Sequence, residues 1–164
     1  MQKLEIIKNK ILTPEKLQNV LALWRFKQKK IVFSNGCFDL LHLGHLDYLS
    51  KAADLGDVLI IGLNTDASVQ RIKGAGRPIN DQISRSTLIA SLSFVDAVVF
   101  FDESTPLQII ETIQPDVLVK GDDYKAEDIV GYDIVMAKGG SVETIKLVEG
   151  YSSTAIINKI LHNS

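Results

Sequence analysis

Cysteine is almost missing from this chain: Cys37 is the only one in 164 residues. No intrachain disulfide can therefore form. Long apolar runs are missing too, and none approaches the roughly 20 residues a membrane helix needs. The opening Met1-Gln2-Lys3-Leu4-Glu5 lacks the apolar centre of a signal peptide. A cytoplasmic protein without a membrane partner is the expectation. Excess positive charge is also absent. Eighteen Lys and Arg face 20 Asp and Glu, for a net charge of −2. That argues against a general nucleic-acid surface, so no nucleic-acid partner is expected. A small anionic substrate stays open, because a site needs only local positive charge.

The common catalytic signatures are missing as well. Nothing reads Gly-x-Gly-x-x-Gly after a strand, which disfavours a dinucleotide dehydrogenase. No Gly-x-x-x-x-Gly-Lys-Ser/Thr supports a P-loop kinase, and no Gly-x-Ser-x-Gly elbow supports a hydrolase. His-Glu-x-x-His is absent, and His42 and His45 have no clear third partner. No metal site is expected.

What is present is an ordinary globular composition, 46% hydrophobic, at a length that suits one domain. Thr13-Pro14-Glu15 starts a helix with a cap, a proline and an acid, running to about residue 28. Strands are predicted at residues 30–34, 58–63, 96–101, 117–120 and 141–147. Helices are predicted to about residue 55, with Gly56 as C-cap, and to about 72 behind Asn64-Thr65-Asp66. Others run from Asp81 to about 93, from Thr105-Pro106 to before Pro115, over 127–138, and from Ser152-Ser153-Thr154 onward. The last carries Ile156, Ile157, Ile160 and Leu161 on its apolar face. Alternating strands and helices predict an α/β fold, a doubly wound five-stranded parallel sheet. The expected organisation is one domain over 1–164, with an N-terminal helical segment at 1–29 and an α/β core at 30–164.

Ligands of such sheets sit beyond the carboxyl ends of the strands, at the topological switch point. The polar loops all follow strands, so they gather on that edge. The most informative is Asn35-Gly36-Cys37-Phe38-Asp39-Leu40-Leu41-His42-Leu43-Gly44-His45, between a strand and an apolar-periodic helix. A strand-loop-helix junction offers free N–H groups and a positive dipole end to a phosphate. Two imidazoles there add donors for charge developing at a reacting phosphate. Gly44 favours that reading, because a side chain would hold a phosphate away from the backbone.

Ser152-Ser153-Thr154 reads as a helix cap or as a second phosphate-binding terminus. Lys73 and Arg77 flank a glycine-rich loop, as solvated charge or as a basic loop over an anionic substrate. Asp122 and Asp123 bond sugar hydroxyls or cap a turn. Arg85 points at phosphate or solvent. Cys37 packs as a small buried residue, with nothing to mark it as a nucleophile. Asn64 and Asp66 join Lys73 and Arg77 as candidate substrate-binding residues.

The run from Gly36 to His45, together with Tyr151-Ser152-Ser153-Thr154, resembles the HxGH nucleotidyltransferases of the cytidylyltransferase type. Ser34 to Asp39, Lys73-Gly74, Arg77-Pro78, Val119-Lys120-Gly121-Asp122-Asp123-Tyr124 and Glu149 to Thr154 narrow it further. Together they look like the heptose-1-phosphate adenylyltransferase branch of lipopolysaccharide-heptose synthesis. The resemblance implies that ATP and D-glycero-β-D-manno-heptose 1-phosphate give ADP-heptose and pyrophosphate. It implies catalytic roles for His42, His45 and Lys73. It implies nucleotide contacts from Cys37, Phe38, Gly44, Asp122, Tyr151, Ser152, Ser153 and Thr154, alongside the two histidines. It also implies that Mg²⁺ arrives with ATP and that the assembly is a homodimer, and a separate sugar kinase upstream is the expectation. One departure stands out: some relatives place Arg where Leu147 lies here, with Lys146 beside it. Two alternatives remain open, a cytidylyltransferase for glycerol 3-phosphate or another alcohol phosphate, and a non-catalytic nucleotide-sensing module.

Overall fold

The computed structural model describes residues 2–123 and 125–162; Tyr124 of the predicted 121–124 loop lies outside them. The elements run α1 (Lys3–Lys8), β1 (Ile11–Leu12), α2 (Pro14–Phe26), β2 (Ile31–Gly36), α3 (Leu43–Ala53), β3 (Val58–Asn64), α4 (Asp66–Lys73), α5 (Gln82–Ala90), β4 (Ala97–Phe101), α6 (Leu107–Ile113), β5 (Val117–Gly121), a 3₁₀ turn (Ala126–Asp128), α7 (Tyr132–Ala137), β6 (Ser141–Ile145) and α8 (Ser153–His162). All strand pairs are parallel, in the order β1-β4-β3-β2-β5-β6.

The sheet has six strands where the sequence predicts five. The extra one, β1, is two residues beside β4, too short for any periodicity and placed in the segment expected to be helical. The helix predicted over 127–138 is also divided. Gly131 adopts a left-handed φ of 94° and separates the 3₁₀ turn from α7. Gly56 is not a C-cap; Asp54 is. A Cβ at Gly56 would stand 2.5 Å from Val32 Cγ2 and 2.7 Å from the Lys30 carbonyl. The residue is small because the chain passes close to β2 there.

Each inner strand feeds both faces of the sheet, as period-2 alternation requires. Val32, Leu59 and Ile61 point into a core with Leu49, Ala52 and Ile89, from α3 and α5. Ile31, Phe33, Val58 and Ile60 point into the opposite core with Leu17, Leu21, Ile110 and Ile113, from α2 and α6. Burial on both faces explains the unbroken apolar run of β3, in which every residue is buried. Chain order moves outward from β2 through β3 to β4, then jumps back to β5 on the other side of β2. The switch point is therefore between β2 and β5, and the crevice beyond their carboxyl ends is the place for a ligand.

Candidate active site

A cavity of about 450 Å³ opens at that crevice. Its floor is the end of β2 and the loop after it. Among the residues predicted from the sequence, Cys37, Phe38, His42, Gly44, His45 and Lys73 line it, as do Arg77 and Tyr151 to Thr154.

The two histidines follow from the local fold. Phe38 takes a left-handed φ of 46°, uncommon for a residue with a side chain. Gly36 permits this, because a Cβ there would meet the Phe38 ring at 3.0 Å. The turned chain brings His42 to the N-cap of α3, with no side chain capping the helix. Its terminal N–H groups stay open for an anion. His45, one turn on, stacks against His42 with ring centroids 3.8 Å apart and 19° between planes. Phe38 packs edge-on against His45 at 5.2 Å. Nδ1 of each imidazole is buried with no hydrogen-bond partner. Buried polar atoms seldom stay unpaired, so this pair is built for something that binds.

Burial lowers the proton affinity of both rings. His45 falls to about 4 through burial and the neighbouring His42, against a hydrogen bond to the Leu40 backbone; His42 is lowered by burial. Both are neutral at pH 7. An anion bound beside them would favour the protonated form, because an adjacent negative charge raises an imidazole's pKa.

Gly44 has a packing reason beside the expected one. A Cβ there would meet the His42 ring at 3.1 Å and Tyr151 Cβ at 3.2 Å. The glycine lets the imidazole and the start of α8 close in on each other. Across the cavity, Ser152 Oγ accepts a hydrogen bond from the Ala155 N–H at 3.0 Å, the ordinary capping bond, and Ser153 Oγ donates to the Leu40 carbonyl at 3.2 Å. The hydroxyl run thus caps α8 and also ties that helix to the histidine loop.

Asn64, Asp66 and Asp122 are not among the cavity-lining residues. Asn64 is buried, donating from Nδ2 to Ser68 Oγ at 3.0 Å and accepting from Cys37 Sγ at 3.7 Å. Asp66 pairs with Arg85 at 2.7 Å. Asp122 accepts from the Leu147 N–H at 3.3 Å, and its neighbour Asp123 lines the cavity instead. At the departure noted above, Leu147 lines the cavity and Lys146 does not.

Arg85 points at neither phosphate nor solvent. It is wholly buried and donates to four acceptors: the carbonyls of Asn80 (3.1 Å), Cys37 (2.7 Å) and Asn64 (2.9 Å), and the Asp66 carboxylate (2.7 Å). It braces the histidine loop from beneath. Asp39, which sequence reasoning missed, braces it from the side. Its carboxylate accepts from Arg77 Nε at 2.6 Å and from the N–H groups of Ile79 and Asn80 at 2.8 and 3.0 Å. Burial alone would push this carboxyl up, but the two backbone donors and Arg77 outweigh it and hold it below the usual carboxylate range. Arg77 thereby reaches the cavity from a half-buried position, while Lys73 stands exposed at its rim. Gly74 and Gly76 both take positive φ in the loop that joins them.

Known proteins place this geometry. A lipopolysaccharide core biosynthesis protein from Thermoplasma volcanium superposes with a TM-score of 0.61 at 28% identity, over 76% of this chain and 99% of that one. A pantoate-beta-alanine ligase from Francisella tularensis shares the fold at a TM-score of 0.57 and 16% identity, over 93% of this chain and 77% of that one. In sequence, the chain is 52% identical over 153 residues to the bifunctional protein HldE of Citrifermentans bemidjiense and 53% identical over 153 residues to that of Syntrophotalea carbinolica. Each match covers 93% of this chain and 31% of the relative, so the chain spans about a third of the length of these curated relatives. The cytidylyltransferase-like family model matches residues 33–159, and the chain belongs to the cytidylyltransferase-like family.

Proposed function

We propose that this chain is an adenylyltransferase that moves AMP from ATP to a heptose 1-phosphate, giving ADP-heptose and pyrophosphate. The observation that carries the reading is the stacked His42–His45 pair, with both Nδ1 atoms unsatisfied, at the open N-terminus of α3. The likeness to the HldE proteins supports the heptose as acceptor.

In this reading the triphosphate lies between the two helix ends. His42 and His45 donate to its oxygens, α8 presents its first turn and Lys73 reaches over from the rim. A phosphate oxygen of the sugar attacks the α-phosphorus, and a new P–O bond forms as the bond to the β-phosphate oxygen breaks. The electron pair leaves with pyrophosphate. The attacking oxygen is already ionised, so the enzyme has no proton to remove and acts by positioning and charge stabilisation. Among the described residues no group of three or more His, Cys, Asp or Glu is arranged to hold a metal. Mg²⁺ enters the proposal as the partner of ATP, where it offsets charge on the leaving phosphates.

No helix among the described residues is long and apolar enough to cross a membrane. A cytoplasmic location, a homodimeric assembly and a sugar kinase upstream complete the proposal. The test is pyrophosphate release with Mg²⁺ and ATP or CTP against heptose 1-phosphate and glycerol 3-phosphate. Release with ATP and the heptose alone is expected. Release with CTP and the alcohol phosphate would keep the chemistry and replace the substrates. Nucleotide binding without release by any pair would point to a sensing module.

A further inference from the structure

One cation in the cavity is only partly used by the fold and has no part in the proposed triphosphate contacts. Lys120, near the end of β5, donates to the Asn35 carbonyl at 3.3 Å and forms no ion pair among the described residues. An ammonium has three donors, so two remain for the cavity that Lys120 lines.

Its surroundings are built. The buried Tyr48 hydroxyl sits 2.7 Å from Ser34 Oγ and donates to the Val119 carbonyl at 3.0 Å. It clamps β2 to β5 one residue before Asn35 and Lys120. Asn35 Oδ1 is buried without a partner and belongs to the same cavity. Gly121 leaves room for Asp123, whose carboxylate would stand 2.6 Å from a Cβ there. This corner is also electrically distinct from the histidine side. Asp123 favours the charged form of Lys120, whereas Lys73 disfavours the charged form of His45. Burial lowers Lys120 to about 8. It is a charged but poorly solvated ammonium at neutral pH.

Joining a phosphate monoester to a nucleoside triphosphate requires two anions to meet at roughly 3 Å. The histidines and the helix ends account for one of them. We propose that Lys120 receives the phosphate of the acceptor, with Asn35 Oδ1 and the Asp123 carboxylate accepting from hydroxyls of the same molecule. The inference rests on the nucleotidyltransferase reading above. It adds that the acceptor is a polyhydroxylated phosphate monoester held at the β2–β5 corner.

The test uses Lys120→Met and Lys120→Arg, with steady-state pyrophosphate release varied in each substrate and thermal melts to verify folding. Lys120→Met is expected to raise KM for heptose 1-phosphate by roughly tenfold or more, the loss of a charged hydrogen bond. KM for ATP should stay within about threefold, and Lys120→Arg should recover much of the difference. In the unmodified protein, kcat/KM for the sugar phosphate should fall as pH rises above about 8, where free Lys120 loses its proton. Of the groups facing it, the Cys37 thiol is raised by burial above 9.0 and Tyr48 is pushed up to about 12, so neither imitates that loss. A rise in KM for ATP instead, or no change in either KM, would overturn the assignment. Should the methionine variant not fold, a flat acceptor kcat/KM across that pH range would overturn it alone. Unmodified protein that releases no pyrophosphate with any sugar 1-phosphate would overturn the underlying reading, and this inference with it.

Discussion

The two walls of the cavity are built on different principles. The histidine wall is over-determined: Arg85 supplies four hydrogen bonds beneath it, Asp39 accepts three from one side, and Phe38 and Tyr48 pack among the core residues. The facing wall, where α8 begins, contains no buried residue. Ile156 and Ile157 are half-buried, Leu161 is 68% exposed, and Ser153 Oγ supplies a single bond to the Leu40 carbonyl. The difference matches what the proposed reaction would ask of each wall. Donors that stabilise a transition state must already be in place, whereas a wall that admits and releases a nucleotide gains from light packing.

Breaking the braced wall should have the largest effect on stability. Arg85→Met removes four hydrogen bonds and leaves Asp66 without its cation. A loss of about 3–5 kcal/mol in denaturant unfolding is expected. A variant as stable as the parent would show that the loop holds itself. Asp39→Asn keeps the shape and removes the charge that holds Arg77. It should cost about 1.5–3 kcal/mol and weaken substrate binding together with stability.

A pH titration sharpens the contrast. His45 has a folded-state pKa near 4 against an ordinary 6.5, so between those values the unfolded chain binds a proton that the folded chain does not. Stability therefore falls as pH drops from 6.5 toward 4, by on the order of 1–2 kcal/mol once the ring's partial exposure is discounted. His45→Gln should flatten that slope, and bound ATP, by raising the folded-state pKa toward 6.5, should shorten it. The lightly packed wall should respond least. Ser153→Ala is expected to cost about 1 kcal/mol and to raise KM for ATP a few-fold; a loss as large as that of Arg85→Met would erase the distinction between the walls.

Much of this was legible in the sequence, for physical reasons that differ by element. The strands of the sheet centre announce themselves because burial on both faces demands unbroken apolar runs, as in β3. The histidine loop is visible because two histidines and a glycine at the start of an apolar-periodic helix are not what core packing asks for. Strand β1 was not legible, because two residues carry no period and only their pairing with Val98 and Val99 defines them. Asn64 and Asp66 occupy the expected edge, but Arg85 and Ser68 take up their hydrogen-bonding capacity. A sequence shows which polar groups reach the edge, not which of them satisfy one another there. Asp39 and Lys120 were missed for the same reason, since their importance lies in distant partners such as Asn80 and Asn35.

The most direct measurement is kcat for His42→Ala and His45→Ala beside the dissociation constant of each for ATP. The account predicts a fall in kcat of about 10²–10³, the usual loss when one transition-state donor is removed, with ATP affinity and thermal stability changed little. Near-parental turnover in both variants, or a loss confined to ATP affinity, would contradict it.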